Sequence, residues 1–135
     1  MITAVDTNVL LDLFGADPRY GPASREALRS CREQGGLIAC DAVWAEVSAA
    51  FPTTAQACSA MERLGVQFVP LDLAGAAGTG QAWRAYRSNG GSRQRIISDF
   101  LIGAHAASHA DRLLTRDRGF YRRYFDDLTI LDPTT

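Results

Sequence analysis

The feature that most restricts the fold of this sequence is a regular alternation between short apolar runs and longer segments with helical periodicity. The apolar runs are too short for helices, and their continuous hydrophobicity is typical of buried strands in a parallel sheet. Strands that alternate with helices favour a sheet covered by helices on both faces. The sequence therefore predicts an α/β fold on a mainly parallel five-stranded sheet, in a single domain that spans residues 1–135. The predicted strands are 2–5, 37–40, 66–71, 112–115 and 128–131.

Capping residues place helices between these strands. Ser24, Asp41 and Ser98 are each predicted to cap the helix that follows, and Thr53 begins a segment with capping-box spacing. Pro70 cannot donate a hydrogen bond to a neighbouring strand, so the third strand is expected at an edge of the sheet. The predicted helices are 8–14, 25–34, 42–50, 54–64, 73–86, 99–110 and 117–125.

The basic residues of this chain are all arginine: it has 14 Arg and no Lys. The absence of lysine excludes P-loop nucleotide binding, Schiff-base chemistry and phosphatases that depend on a lysine. Residues 84–135 carry nine Arg and six acidic residues, a net charge of +3, whereas residues 1–83 carry five Arg and nine acidic residues, a net charge of −4. The basic part permits anion binding, and a solvated helix surface is the alternative explanation.

Four carboxylates are predicted at the carboxyl edge of the sheet, where ligands of parallel α/β folds usually bind. Asp6 directly follows the first strand, and Glu46 lies about 7 Å along the helix after the second. Asp99 is in the first turn of the helix that leads into the fourth strand, and Asp117 follows that strand. Asp12, six residues after Asp6 and off its helical face, is expected to be exposed.

Taken singly, each of these acids has a structural explanation as a helix cap, a first-turn residue or a solvated side chain. Together they favour a bound cation, because converging carboxylates repel one another and would have raised pKa values unless a cation joined them. A cluster of oxygen ligands suits a hard divalent ion such as Mg²⁺ or Mn²⁺ better than zinc. Such a site is suited to phosphodiester hydrolysis.

These acids lie in four separated motifs that resemble those of the PIN-domain family, specifically the VapC-type toxin ribonucleases of type II toxin–antitoxin pairs. The motifs are VDTNVLLDL at the start, AEV after the second strand, SDFLIGAHA, and LLTRDRGFYRRYF followed by LTILDP. Their order and spacing cover essentially the whole chain. The resemblance implies a three-layer α/β/α sandwich of the PIN type.

The resemblance also implies an activity, that of a Mg²⁺- or Mn²⁺-dependent endoribonuclease. Its RNA-cleaving site would be inhibited by a small cognate antitoxin, and the protein would form a homodimer. Asp6, Asp99 and Asp117 would hold the metal, and Glu46 would be a further ligand or would orient the attacking water. The implied catalytic residues are Asp6, Glu46, Asp99 and Asp117, with Asn8 and Thr115 as polar supporters.

Three further expectations complete the sequence-based view. Candidate phosphate contacts are Arg93, Arg95, Arg116 and Arg118, for which a salt bridge or solvent exposure is the alternative.

The competing function is a catalytically inactive PIN-like module that binds RNA or a protein. The three cysteines (Cys31, Cys40 and Cys58) lack metal-type spacing and are expected to be reduced core residues of a cytoplasmic protein, without a membrane span.

Overall fold

The computed structural model describes residues 1–91 and 97–135. Every pairing between its five strands is parallel, which confirms the predicted sheet. The strands are β1 (Ile2–Val5), β2 (Gly36–Ala39), β3 (Val66–Phe68), β4 (Arg112–Leu114) and β5 (Ile130–Leu131). The helices are α1 (Thr7–Phe14), α2 (Gly21–Gln34), α3 (Asp41–Ser48), α4 (Thr54–Leu64), α5 (Leu73–Ser88), α6 (Ile97–His109) and α7 (Arg118–Tyr124). In the described ranges, none of these helices has both the length and the hydrophobicity needed to cross a bilayer.

The strand order is β3-β2-β1-β4-β5, so the first strand lies at the centre of the sheet. The chain winds outward from β1 to β3 on one side, and then crosses over to β4 on the other side of β1. The direction of winding therefore reverses between β1 and β4, where Val5 pairs with Leu114. This place is the switch point of the sheet. In folds of this kind a crevice opens at this point, at the carboxyl ends of the strands.

Both faces of the central strand are buried, because Thr3, Ala4 and Val5 are each at most 3% exposed. Helix α6 packs on β1 and β4, α2 on β2, α4 on β3 and α7 on β5. The result is the three-layer α/β/α arrangement that the resemblance implied. A parallel sheet needs this double cover, because neither of its apolar faces can be left in water.

The edge position predicted for the third strand is confirmed, although β3 ends at Phe68 and not at residue 71. The predicted cap at Thr53 is also confirmed, because its side chain accepts a hydrogen bond from the Gln56 amide. Helix α4 ends at Gly65, whose φ of 83° is a left-handed conformation that glycine adopts without a steric penalty.

Three predicted helix caps, Ser24, Asp41 and Ser98, are wrong. Helix α2 begins at Gly21, because Pro22 fits the first turn, where its missing N–H costs nothing. Cys40 holds the N-cap position of α3, and Asp41 is the first residue of that helix. Helix α6 begins at Ile97, so Ser98 lies inside it.

The expectation that all three cysteines are core residues is wrong for Cys58, which is exposed. Ala57 and Met61 form the buried stripe of α4, one turn apart. Cys58 follows Ala57 directly and therefore faces outward. Cys31 and Cys40 are buried, as expected.

Two glycines in helices are expected to respond oppositely to replacement by alanine. A Cβ atom at Gly78 in α5 would meet nothing within 4 Å, whereas one at Gly103 in α6 would lie 2.4 Å from the ring of Phe125. Gly78→Ala should raise the free energy of unfolding by about 0.5–1 kcal/mol, since it removes backbone freedom from the unfolded chain. Gly103→Ala should lower it by about 1–3 kcal/mol through overpacking. Urea unfolding of both variants measures the difference, and equal stabilisation by both would contradict the packing described for Gly103.

Candidate active site

Asp6 lies at the point where the sheet reverses its winding direction, directly after β1. Its backbone is extended (φ −77°, ψ 152°), and its N–H donates to the Leu114 carbonyl of β4 at 3.0 Å. One carboxylate oxygen, Oδ1, accepts a hydrogen bond from the Thr7 amide at 2.7 Å, so Asp6 caps α1. The residue is only 6% exposed, so a carboxylate is held inside the protein at the switch between two strands.

The other oxygen of Asp6 is bound by two polar side chains. Oδ2 accepts hydrogen bonds from the Thr115 hydroxyl at 2.7 Å and from the Asn8 amide group at 3.3 Å. Thr115 Oγ1 in turn accepts a hydrogen bond from the backbone N–H of Asp117 at 3.0 Å. Asn8 and Thr115, the two residues expected to support the site, therefore lie beside Asp6, and Thr115 connects it to the segment that carries Asp117.

Glu46 reaches the same region from α3. The hydroxyl of Thr7 donates to Glu46 Oε1 at 2.9 Å, and the backbone N–H of Thr7 donates to Asp6. One threonine thus joins two of the four predicted acids. The side chain of Glu46 is half-buried.

The electrostatics of Asp6 reflect its burial. Burial, with a smaller contribution from the negative charge of Asp99, raises the pKa of Asp6 to about 6. Hydrogen bonding by Thr115 and Thr7 opposes this rise, as does the nearby hydroxyl of Tyr121. Asp99 is in the first turn of α6, as predicted, and its charge acts on Asp6 across the carboxyl edge of the sheet.

Tyr121 is a further residue of this site that the sequence did not indicate. Its pKa is raised well above the usual value, mainly by burial and also by the charges of Asp6, Asp99 and Asp117. Three of the four predicted acids are therefore neighbours of one buried phenol. The only sequence signal was its spacing, one helical turn after Asp117, because aromatic residues in this stretch are equally typical of a core.

Arg116, one of the predicted phosphate-binding arginines, is bound by side chains of the protein itself. Its Nε and Nη2 donate to the two oxygens of Asp12 at 2.6 and 3.0 Å, and the guanidinium group lies 4.0 Å from the centroid of the Tyr20 ring. The hydroxyl of Ser24 also donates to Asp12, at 2.8 Å. The expectation that Asp12 is exposed is wrong: it is 4% exposed, because these partners enclose it.

The other candidate arginines have different surroundings. Arg118 is half-exposed at the start of α7, and its Nε lies 3.7 Å from an oxygen of Asp132. Arg93 and Arg95 lie outside the residues that the structure describes. Phosphate contact remains a prediction for all four arginines.

A family model for the PIN domain matches residues 3–126 of this sequence. The chain belongs to the PIN-domain family. No protein of curated function matches it. Members of this family are generally nucleases, and they typically use divalent metal ions.

Solved structures of toxin–antitoxin complexes share this PIN fold. The chain is 17% identical to a chain of VapBC2 from Rickettsia felis bound to a promoter DNA fragment, with a TM-score of 0.74 and 98% of each chain covered. It is 21% identical to a chain of VapBC-1 from nontypeable Haemophilus influenzae, with a TM-score of 0.74 and both chains fully covered. For FitAcB from Neisseria gonorrhoeae the identity is 22%, the TM-score 0.68 and the coverage 99% of each chain. At these identities the similarity establishes the fold.

The acids of this PIN domain suit a divalent ion by their chemistry. Within residues 1–91 and 97–135, no group of three or more His, Cys, Asp and Glu side chains is arranged so that it could hold a metal ion. Nevertheless, the donors at the switch point are carboxylate oxygens, which Mg²⁺ and Mn²⁺ prefer. A cation would also offset the burial and the charge repulsion that raise the pKa of Asp6.

Proposed function

We propose that this PIN domain is a Mg²⁺- or Mn²⁺-dependent endoribonuclease, and that it is the toxin of a toxin–antitoxin pair. The observation that carries the proposal is the buried carboxylate of Asp6 at the switch point, with the charge of Asp99 close enough to raise its pKa. Burying an acid beside another acid destabilises a fold, so such an arrangement is typical of functional sites. The family, whose members are generally nucleases, supports the same conclusion.

The proposed catalytic residues are Asp6, Glu46, Asp99 and Asp117. In this proposal Asp6, Asp99 and Asp117 hold the divalent ion, and Glu46 is either a further ligand or the residue that orients the attacking water. The bound ion would supply Lewis-acid chemistry at the phosphate.

Neighbouring polar groups would keep these acids in place. Thr115 and Asn8 fix the orientation of the Asp6 carboxylate through their hydrogen bonds to Oδ2. Thr7 does the same for Glu46 through its hydroxyl. Such partners matter because an acid that is free to rotate loses the geometry on which catalysis depends.

The substrate in this proposal is RNA, held through its phosphates by arginine side chains. Arg118 is half-exposed beside Asp117, and its loose contact with Asp132 leaves it able to bind phosphate instead. For Arg116, two of its three guanidinium nitrogens donate to Asp12, so we propose only an auxiliary contact through the third. Arg93 and Arg95 complete the proposed set.

We also propose a small antitoxin protein as inhibitor, and a homodimer as the assembled form. The structural similarity to toxin–antitoxin complexes supports the first. Large exposed apolar side chains, such as Phe68 and Leu73, offer surfaces for protein contacts. We place the protein in the cytoplasm, because its three cysteines are free thiols, as is usual in reducing compartments.

One observation favours a second candidate function, a PIN-like module that binds RNA or a protein without cleaving it. It is the lack, across the described part of the chain, of a side-chain group arranged to hold a metal ion. This alternative predicts RNA binding that EDTA does not change and no cleavage at any metal concentration.

Replacing Asp6, Asp99 or Asp117 by Asn is expected to lower RNA cleavage at least about 100-fold, because each variant removes a charge that the proposed site needs. The measurement is the rate of cleavage of a mixed cellular RNA pool in Mn²⁺ or Mg²⁺, with EDTA as the negative control. Asp127→Asn is the matched control, since Asp127 is an exposed acid after α7. Cleavage by wild type in the presence of EDTA would contradict the proposal. Undiminished cleavage by all three variants would contradict it as well. Tight RNA binding without cleavage would favour the binding module.

A further inference from the structure

Tyr121 is completely buried in α7, one turn after Asp117. Its exposed fraction is 0%, and its backbone N–H donates to the carbonyl of Asp117 at 3.4 Å. The ring is edge-on to Phe120, with centroids 5.0 Å apart, and tilted against Phe125 at 6.2 Å. The aromatic ring is thus held by packing, which fixes the direction of its hydroxyl group.

The hydroxyl of Tyr121 is buried and, within the part of the chain that the structure describes, has no full hydrogen bond. Buried tyrosine hydroxyls normally have a partner, because an unpaired one loses its bond to water and gains nothing. Phenylalanine would pack equally well against Phe120 and Phe125 without this cost. Packing alone therefore explains the ring of Tyr121 but not its oxygen.

The groups around this hydroxyl are carboxylates. The charges of Asp6, Asp99 and Asp117 all act on Tyr121, and its hydroxyl in turn acts on Asp6. The hydroxyl forms no full hydrogen bond with Asp6, but it is close enough to lower the pKa of that carboxyl group. A phenol is a donor at neutral pH, so these carboxylates are its natural acceptors.

The hydrogen bonds of Asp6 leave room for one further donor. Oδ1 accepts from the Thr7 amide, and Oδ2 accepts from Thr115 and, at a longer distance, from Asn8. An ionised carboxylate offers about four lone-pair positions, of which these donors occupy three. The Tyr121 hydroxyl is the nearby donor that has no other bond.

We propose that Tyr121 is a positioning residue of the acidic site, whose hydroxyl donates to the Asp6 carboxylate and fixes its orientation when a divalent cation is bound. The inference rests on the proposed function, because it assumes that Asp6 serves a metal-dependent reaction. Partners of this kind tune metal affinity without touching the ion themselves. The cost of burying this hydroxyl is then explained by its use at the metal-binding site.

The test is the variant Tyr121→Phe, which keeps the ring and removes only the oxygen. Mn²⁺ binding, measured by titration calorimetry, is expected to weaken about tenfold, with kcat for RNA cleavage reduced and KM nearly unchanged. The thermal midpoint of the metal-free variant, measured in EDTA, is expected to equal or exceed that of wild type, because an unsatisfied buried hydroxyl has been removed. The matched control is Tyr124→Phe on the same helix, which should change none of these quantities.

The outcomes separate this inference from the proposed function. If wild type binds Mn²⁺ and cleaves RNA while Tyr121→Phe does both equally well, the positioning role is wrong and the nuclease proposal stands. A lower metal-free midpoint with unchanged Mn²⁺ affinity also overturns the inference, since it assigns a purely structural role to the hydroxyl. If wild type neither binds Mn²⁺ nor cleaves RNA, the proposed function fails and this inference fails with it.

Discussion

Asp6→Asn is expected to make the metal-free protein more stable at pH 7.5, by about 2 kcal/mol. Burial raises the pKa of Asp6 from 3.8 to about 6, so ionising this carboxylate in the folded state costs more than ionising it in the unfolded chain. Each pKa unit corresponds to about 1.4 kcal/mol, and rearranged hydrogen bonds at the new amide reduce the gain. Asparagine caps a helix as well as aspartate does, so the cap of α1 is retained.

The pH dependence of this effect has a definite sign. Between pH 4 and 6 the folded wild type binds more protons at Asp6 than the unfolded chain does, so its stability falls as the pH rises through this window. Asp6→Asn lacks this contribution. The two proteins should therefore differ little in stability near pH 4, where the carboxyl is protonated in the folded state and only partly ionised in the unfolded chain, and differ fully above pH 6.

Urea unfolding in EDTA at pH 4, 5, 6 and 7.5 measures the difference. Asp127→Asn is again the control, because an exposed acid should not alter the pH profile. A difference in the free energy of unfolding that is the same at every pH would contradict a buried carboxylate with a raised pKa. A variant that is less stable than wild type at pH 7.5 would contradict it too. A variant that gains stability and loses RNA cleavage would show that Asp6 is kept for chemistry, not for capping.

Asp12→Ala is expected to lower the free energy of unfolding by about 3 kcal/mol. The change removes both acceptors of the Arg116 guanidinium group and leaves the fully buried hydroxyl of Ser24 without its acceptor. Breaking one side of a buried ion pair is strongly destabilising, because the remaining charge loses its partner. The Arg116 side chain is 26% exposed, so water recovers part of that loss and the effect lies at the low end of the usual range.

A double-mutant cycle with Arg116→Ala isolates the pairwise energy between Asp12 and Arg116. Glu33→Ala is the surface control, since its contact with Arg29 joins two side chains that are each more than half exposed. Its unfolding midpoint should stay close to that of wild type. If Asp12→Ala were as mild as Glu33→Ala, the bidentate pair would not hold α1 to the segment after β4.

The four predicted acids show how much of this site follows from sequence. Their positions required only the strand and helix assignments, because every strand of a parallel sheet ends at the same edge. The structure brings Asp6, Asp99 and Asp117 around one phenol and joins Glu46 to Asp6 through Thr7. The roles of these acids in metal binding and catalysis remain predictions.

The wrong prediction for Asp12 and the failure to identify Tyr121 have one cause, which is that both depend on contacts with residues distant in sequence. Asp12 was expected in water because a helical wheel shows the face that a residue occupies but not what packs on that face. It is buried because Arg116 and Ser24, which are distant in sequence, converge on it. Tyr121 was missed for the same reason: the stretch that contains it shows aromatic residues, whereas only the fold shows where its hydroxyl lies.

The sequence by itself determined the number of strands, their mainly parallel arrangement and the edge position of the third strand. These properties depend on local hydrophobicity and capping, which each segment carries in its own residues. Only the tertiary structure decided which carboxylates are paired, which are buried and which donor faces them. Those properties belong to contacts between residues far apart in the chain, such as Asp6 with Thr115 and Asp12 with Arg116, and they arise when β1 and β4 pair side by side.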